Sequence, residues 1–296
     1  ANIGDLNGDG VNDLAVGTAF DSDEGTRKGA VHIMYMNTDG SVKSTVEINS
    51  STPNGPALSN NDEFGTSIAN IGDLNGDGVN DLAVGAAYDS DEGTRKGAVY
   101  IHYLNANGSV KSTVEINSST PNGPVLNLDS RYGSSITNIG DQNGDGVNDI
   151  AVGAAREGYF IDSDGNGSND TEIDRGVIFI LNLNTNGSVK ASFRINEDTT
   201  NGPAINQVQY AQDPHFGSSI TSTDINGDGK LDLVVGATSD NSAGAREGSI
   251  WTIFYNGASY LNDYSISISE SISFTEVANK KSETKLSETV SFTDST

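Results

Sequence analysis

Short runs in which apolar residues alternate with polar or small ones, each closed by glycine or Asn-Gly, recur along this chain. Residues 64–73 read FGTSIANIGD, 81–87 read DLAVGAA, 97–104 read GAVYIHYL, and after the turn NANG residues 109–118 read SVKSTVEINS. A period of two carried by Val, Ile, Tyr and Phe predicts β-strands, and the Gly and Asn-Gly punctuation predicts antiparallel hairpins. Sliding the sequence against itself by 68 residues lays Asn2–Pro56 on Asn70–Pro124 almost without change. The pattern returns more loosely at Asn138–Pro203 and again from Thr221. A four-stranded unit of this size cannot bury both faces of its sheet alone, so neighbouring units must stack face to face, as propeller blades do. The expected fold is all-β: four units of four antiparallel strands over residues 1–262, with an insertion at Tyr159–Asp174 in the third. Residues 263–296 are rich in Ser and Thr and repeat SESISFTE as SETVSFTD, which reads as an extended, strand-like tail, a donor strand or the start of a stalk.

Ahead of each DLAVG-like strand stands an acidic loop, D-x-N-x-D-G-x-x-D, at Asp5–Asp13, Asp73–Asp81, Asp141–Asp149 and Asp224–Asp232. Oxygens at positions one, three, five and nine, with a backbone carbonyl at seven, can wrap a hard cation that wants six to eight ligands at roughly 2.3–2.6 Å. Glycine at position six permits the reversal. The expected Ca2+ ligands are Asp5, Asn7, Asp9, the carbonyl of Val11 and Asp13; then Asp73, Asn75, Asp77, Val79 and Asp81; Asp141, Asn143, Asp145, Val147 and Asp149; and Asp224, Asn226, Asp228, Lys230 and Asp232. A fifth match, Asp162, Asp164, Asn166, Ser168 and Asp170, lies inside the insertion and has no repeat. Helix-flanked calcium loops share the first six positions but need an acidic residue at position twelve, where this chain has Val16, Val84, Val152 and Val235. Hairpin loops fit better. Three carboxylates held this close repel one another without a cation, so folding and calcium binding should be coupled.

Composition narrows the partners. With 41 acidic against 16 basic residues among 296, the formal charge of −25 argues against nucleic acid and anionic membranes. No stretch approaches the roughly 18 consecutive apolar residues of a membrane span, and the N-terminus lacks a basic-then-apolar leader pattern. Cysteine is absent, which excludes disulfides and thiolate sites. Several weak all-oxygen sites fill reliably only where calcium is abundant, so the expected location is extracellular or the cell surface. Sequons for N-linked glycans stand at Asn49, Asn107, Asn117, Asn166, Asn169 and Asn186.

Phe64-Gly65, Tyr132-Gly133 and Phe216-Gly217, each followed by an acidic loop and then Gly-Ala-rich text such as Gly85–Ala87, resemble the FG-GAP repeat of integrin α-subunit propellers and their prokaryotic relatives. The resemblance covers residues 1–262 and implies calcium at blade edges, held by the aspartates and asparagines above. Three features depart from it: the first unit, starting at Ala1, has no FG dipeptide, Tyr132 replaces Phe, and no proline follows the GA. Integrin propellers have seven blades, whereas four units stand here.

Catalytic signatures are missing. There is no G-x-S-x-G elbow, phosphate loop or H-E-x-x-H, and His32, His102 and His215 do not repeat. His32 aligns with Tyr100 and Met34 with His102, which points to structural strand positions. Nearly all carboxylates fall at repeated loop positions, while Asp129 and Asp213 have no recognisable partners. Arg27-Lys28, Arg95-Lys96, Arg175 and Arg246 precede the third strand and are expected to pair with nearby loop carboxylates such as Asp23 and Glu24; Trp251 is expected in packing. The reading is a non-enzymatic, calcium-stabilised surface protein, structural or adhesive. Its partners would be other copies of itself, surface proteins or glycans, with head-to-tail assembly into a fibre or coat as a variant. The competing class is a carbohydrate-binding or carbohydrate-cleaving propeller.

Overall fold

The second and third strands of the repeated units carry apolar residues on both faces, and the computed structural model shows where both are buried. It describes residues 1–161, 171–196, 199, 215–238 and 248–254, and no helix occurs among them. The first sheet is β1 (Asn2–Gly4), β2 (Asp13–Thr18), β3 (Ala30–Met36) and β4 (Val42–Ile48). The second is β5 (Phe64–Gly72), β6 (Asp81–Ala86), β7 (Ala98–Leu104) and β8 (Val110–Ile116). The third is β9 (Tyr132–Gly140), β10 (Asp149–Ala154), β13 (Val177–Leu183) and β14 (Val189–Ile195), and the fourth has β15 (Phe216–Thr223), β16 (Asp232–Ala237) and β17 (Ser249–Ile253). All pairings within these sheets are antiparallel meanders, as the hairpin signals predict. The insertion forms its own hairpin of β11 (Gly158–Ile161) and β12 (Thr171–Asp174). The 263–296 tail and the place of a fourth strand in the last unit lie outside the described residues.

Odd and even positions of one strand enter different cores. Leu82, Val84, Ala98 and Tyr100 pack with Ala15, Val31 and Ile33 of the first unit, whereas Ala83, Val99, Ile101 and Tyr103 pack with Val152, Phe179 and Leu181 of the third. Ile178 and Ile180 then face Val235, Trp251 and Ile253 of the fourth. Trp251 is 6% exposed and meets Phe216 edge to face, the packing role expected of it. Phe64 on Tyr100 and Tyr132 on Phe179 repeat that T-shaped contact, so Tyr132 fills the phenylalanine place without altering it.

The glycines explain the spacing between sheets. A Cβ at Gly17, Gly85 or Gly153 would lie 2.0 Å from the carbonyl oxygen of Gly65, Gly133 or Gly217 on the next unit. One at Gly29, Gly97 or Gly176 would lie 2.1 Å from the carbonyl oxygen of Phe64, Tyr132 or Phe216. The aromatic-Gly dipeptide of each unit is thus wedged between the second and third strands of the unit before it. Backbone bonds close the joint: the amides of Phe64, Tyr132 and Phe216 donate to the carbonyls of Lys28, Lys96 and Arg175.

His102 is wholly buried, with Nδ1 2.9 Å from Thr113 Oγ1, no partner for Nε2, and Phe64 against its ring. Burial pulls its pKa down to about 3, so the ring stays neutral in the folded state. The same position is Met34, Leu181 and Ile253 in the other units, which makes it a core position and not a catalytic one.

Two outcomes follow. Gly85→Ala should cost about 3 kcal/mol or more through forced separation of two backbones, whereas Gly40→Ala, with φ +83° and no atom within 4 Å, should cost about 1 kcal/mol; urea denaturation measures both. Because the folded pKa of His102 lies below that of the unfolded chain, the neutral ring favours folding fully above about pH 6.5 and loses that contribution as pH falls toward 3. His102→Leu should therefore flatten this part of the acid limb, by up to about 1.4 kcal/mol per pH unit relative to the parent. Parallel stability curves for the two proteins would contradict the assignment.

Candidate metal centres

Each acidic loop joins the first and second strands of its sheet, with strands on both sides and not helices, as position twelve indicated. The loops are wound around their first aspartate. Asp5 Oδ1 accepts the amides of Gly8 and Asp9 at 2.8 and 3.0 Å, and Oδ2 accepts that of Gly10 at 2.7 Å. Asp73 accepts Asp77 and Gly78, Asp141 accepts Gly144, Asp145 and Gly146, and Asp224 accepts Gly227, Asp228 and Gly229 in the same way. Gly8 and Gly10 take φ of +76° and +87°, a left-handed pair of turns that a side chain would strain. Asn7, Asn75 and Asn226 each accept the amide of the aspartate two residues on.

The ninth position behaves differently. Asp13, Asp81, Asp149 and Asp232 are wholly buried. One oxygen accepts the amide of the loop's second residue, Leu6, Leu74, Gln142 or Ile225, at 3.0–3.1 Å. In the first three units the other accepts the amide at the end of the third strand, Met36, Leu104 or Leu183, at 3.0–3.1 Å. Burial pushes Asp81 and Asp149 up to about 6, against the pull of those amides. Each loop therefore carries one buried carboxylate and two nearer the rim, with an amide oxygen and a carbonyl close in sequence, although no three carboxylates of a loop place oxygens within 4.8 Å of one another. That donor set fits a hard divalent cation.

A lysine complicates the fifth position. Lys43, on β4, reaches Asp9 at 2.9 Å, Lys111 pairs with Asp77, and Lys190 reaches Asp145 at 2.5 Å. These bonds hold Asp9 and Asp77 below the usual carboxylate range; at Asp145 burial pushes upward most strongly, and the Lys190 bond, the Val147 amide and the Lys190 charge together outweigh it. Sequence reasoning passed over these lysines, although all three occupy one repeated place in the fourth strand. The loops also touch one another: Asn80 and Asn148 donate at 2.9 Å to the carbonyls of Ile3 and Ile71 in the preceding unit. The insertion loop with Asp162, Asp164, Asn166, Ser168 and Asp170 lies outside the described residues.

Two expectations are corrected. Arg27 pairs not with Asp23 or Glu24 but with Glu63 of the next unit at 2.5 Å, and Arg95 reaches Asp129 likewise across the joint at 3.7 Å. Backbone bonds from Glu63 to Arg27 and from Arg131 to Arg95 show that this segment abuts the following unit. Asp129 has partners after all, with Arg131 and Arg156 at 3.6 and 3.5 Å besides Arg95; Asp213 and Arg246 lie outside the described residues. Among the sequons, Asn107 and Asn186 are exposed in tight turns, whereas Asn117 is 9% exposed and donates to Glu115 at 2.6 Å. A glycan on Asn117 would have to break that bond.

A second carboxylate group was missed. Asp21, Asp23 and Glu47 offer oxygens that all lie within 4.8 Å of one another. The signal was present, since the 68-residue shift carries them onto Asp89, Asp91 and Glu115. Asp62 joins that second set, pushed up to about 7 by burial and then by the charge of Asp89.

The model of the FG-GAP repeat matches residues 2–34, 64–102 and 216–253, which are the first, second and fourth units. Integrin alpha-4 of Xenopus laevis is 35% identical over 151 residues, 51% of this chain and 13% of that protein. Human integrin alpha-11 is 33% identical over 177 residues, 59% of this chain and 12% of that protein. Integrin alpha-3 of Cricetulus griseus is 32% identical over 154 residues. The chain thus spans about an eighth of the length of these relatives.

Proposed function

From a chain built of integrin-like FG-GAP repeats, with an all-β fold of stacked blades, we propose a non-enzymatic, extracellular surface module, structural or adhesive, whose blades are stiffened by Ca2+. The observation that carries this reading is the fourfold recurrence of one loop geometry, a buried ninth aspartate beneath two rim carboxylates. Asp5, Asn7, Asp9, the Val11 carbonyl and Asp13, with their counterparts in the other three loops, would hold the ions. Bound calcium supplies the charge that offsets the carboxylates. The chain's own residues wind the loop and tie it, through Asp13, Asp81 and Asp149, to the third strand. The likeness to integrin alpha chains supports a recognition or architectural role over chemistry.

Self-association is part of the proposal, and the outer face of the first sheet supports it. Val16 is 38% exposed there, beside half-buried His32 and Met34, whereas Val84, Tyr100 and His102 at the same places are buried against the unit before them. Val16, His32 and Met34 stand at the positions that, in the second sheet, seat another FG-GAP unit, and a second copy is the occupant proposed for them.

Chelation with EDTA should lower the melting temperature and Ca2+ should restore it, with about 2.7 kcal/mol per site at a hundredfold excess over Kd. An identical melt with and without chelator would refute calcium stabilisation. In sedimentation experiments with Ca2+, the parent should form assemblies that grow with concentration, and Val16→Glu should shift them toward monomer; a monomeric parent at all concentrations would count against assembly through this face.

A further inference from the structure

The acidic loops stand at one end of each sheet, and a separate group of carboxylates stands at the other. Asp89 and Asp91 follow β6, whose opposite end begins at Asp81, and Glu115 lies on β8, which β7 separates from β6 in the sheet. Asp62 enters from the segment leading into β5. Its side chain is 1% exposed; Oδ2 accepts the Ser59 amide at 2.5 Å, and Oδ1 has no hydrogen-bond partner. The charges acting on it are those of Asp89, Asp91 and Glu115. Ser59 also links the group, since its hydroxyl donates to Asp91 Oδ1 at 3.3 Å. Asp89 is buried, with Oδ2 accepting the Tyr100 hydroxyl at 3.0 Å, and Glu115 accepts the Asn117 amide at 2.6 Å. Among the described residues no lysine or arginine pairs with any of the four.

The neighbouring units supply two comparisons. In the first, the equivalent Asp21, Asp23 and Glu47 place oxygens within 4.8 Å of one another, a spacing that one ion can span, whereas no three of the second unit's four carboxylates are drawn that close. In the third, the Asp89 position is Glu157, the Asp62 position is Ser130 and the Glu115 position is Arg194. There the Arg194 guanidinium reaches Glu157 at 3.3 Å, and the Ser130 hydroxyl and Asn127 amide donate to the same carboxylate. The third unit has one carboxylate with a built-in cation where the second has four carboxylates and none. Burying several like charges without a counter-charge is strongly unfavourable.

We propose that the second unit binds a divalent cation, Ca2+ by its all-oxygen donors, between Asp62, Asp89, Asp91 and Glu115, at the end of the blade opposite the Asp73–Asp81 loop. The unpaired Asp62 Oδ1 is the buried ligand of this site, and Arg194 occupies the corresponding place in the third unit.

Equilibrium dialysis of the full chain at saturating Ca2+ tests the site. Asp62→Asn should bind one ion fewer than the parent, and the loss should add to that of Asp77→Asn, which removes a ligand of the loop at the other end. Asp91→Asn, at an exposed position, should weaken the same ion at least tenfold without disturbing the fold. Glu115→Arg, which copies the third unit, should also lose one ion, and in chelator it should melt above the parent. Folded Asp62→Asn and Asp91→Asn proteins with the parent's stoichiometry and affinities would overturn the proposal. So would an infrared carboxylic-acid band in Ca2+-saturated parent that Asp62→Asn abolishes, which would show that a proton and not a cation occupies the group.

Discussion

Everything in this chain depends on backbone meeting backbone between sheets. A four-stranded sheet with apolar residues on both faces is stable only when covered twice, and here the cover is the next unit. Side chains at the joint would hold the sheets apart. The glycines at 17, 85 and 153, set against the carbonyls of Gly65, Gly133 and Gly217, bring the second strand of one sheet into direct contact with the first strand of the next. The aromatic ring preceding each of those second glycines fills the space beside the joint. The dipeptides that make the repeat recognisable are therefore the residues of the contact itself.

The acidic loops extend the same logic to the rim. Asp13, Asp81 and Asp149 bond the loop's own start and the far end of the third strand, so loop conformation and sheet registry are one structure. Asn80 and Asn148 carry it to the preceding unit. The lysines at 43, 111 and 190 supply one positive charge to each of three loops that hold three aspartates. That compensation is partial, and these exposed pairs are worth little by themselves.

Strands, hairpins, stacking and the loop positions were legible because each is written locally: period-two runs, Asn-Gly turns, and ligand spacing within nine residues. The repeat made them firmer, since a chance match does not recur at 68 residues. What escaped was set by contacts distant in sequence. Arg27 and Glu63 meet because one unit's third strand abuts the next unit's entry segment, and nearby Asp23 and Glu24 were the wrong partners to choose. Asp129 looked unattached for the same reason, its arginines lying 34 residues before it, two after it and 27 after it, at 95, 131 and 156. Asp62 carried no signal at all, because its burial depends on a fold in which its own segment meets the loop after β6 and the fourth strand.

The differences between near-identical units show how much of a side chain's role is set by its neighbours. His32 and Tyr100, or Val16 and Val84, sit at equivalent places in equivalent sheets, yet one of each pair is partly open and the other sealed. The same holds for charge. Asp21, Asp23 and Glu47 stand near water, Asp89 and Asp62 are sealed in the second unit, and the third unit has exchanged a carboxylate for Arg194 beside Glu157. Repetition of sequence fixes where an acidic group is placed; stacking decides whether it is solvated or buried. A buried one needs amide donors, a proton or a counter-charge, and in the third unit a counter-charge is covalently part of the chain.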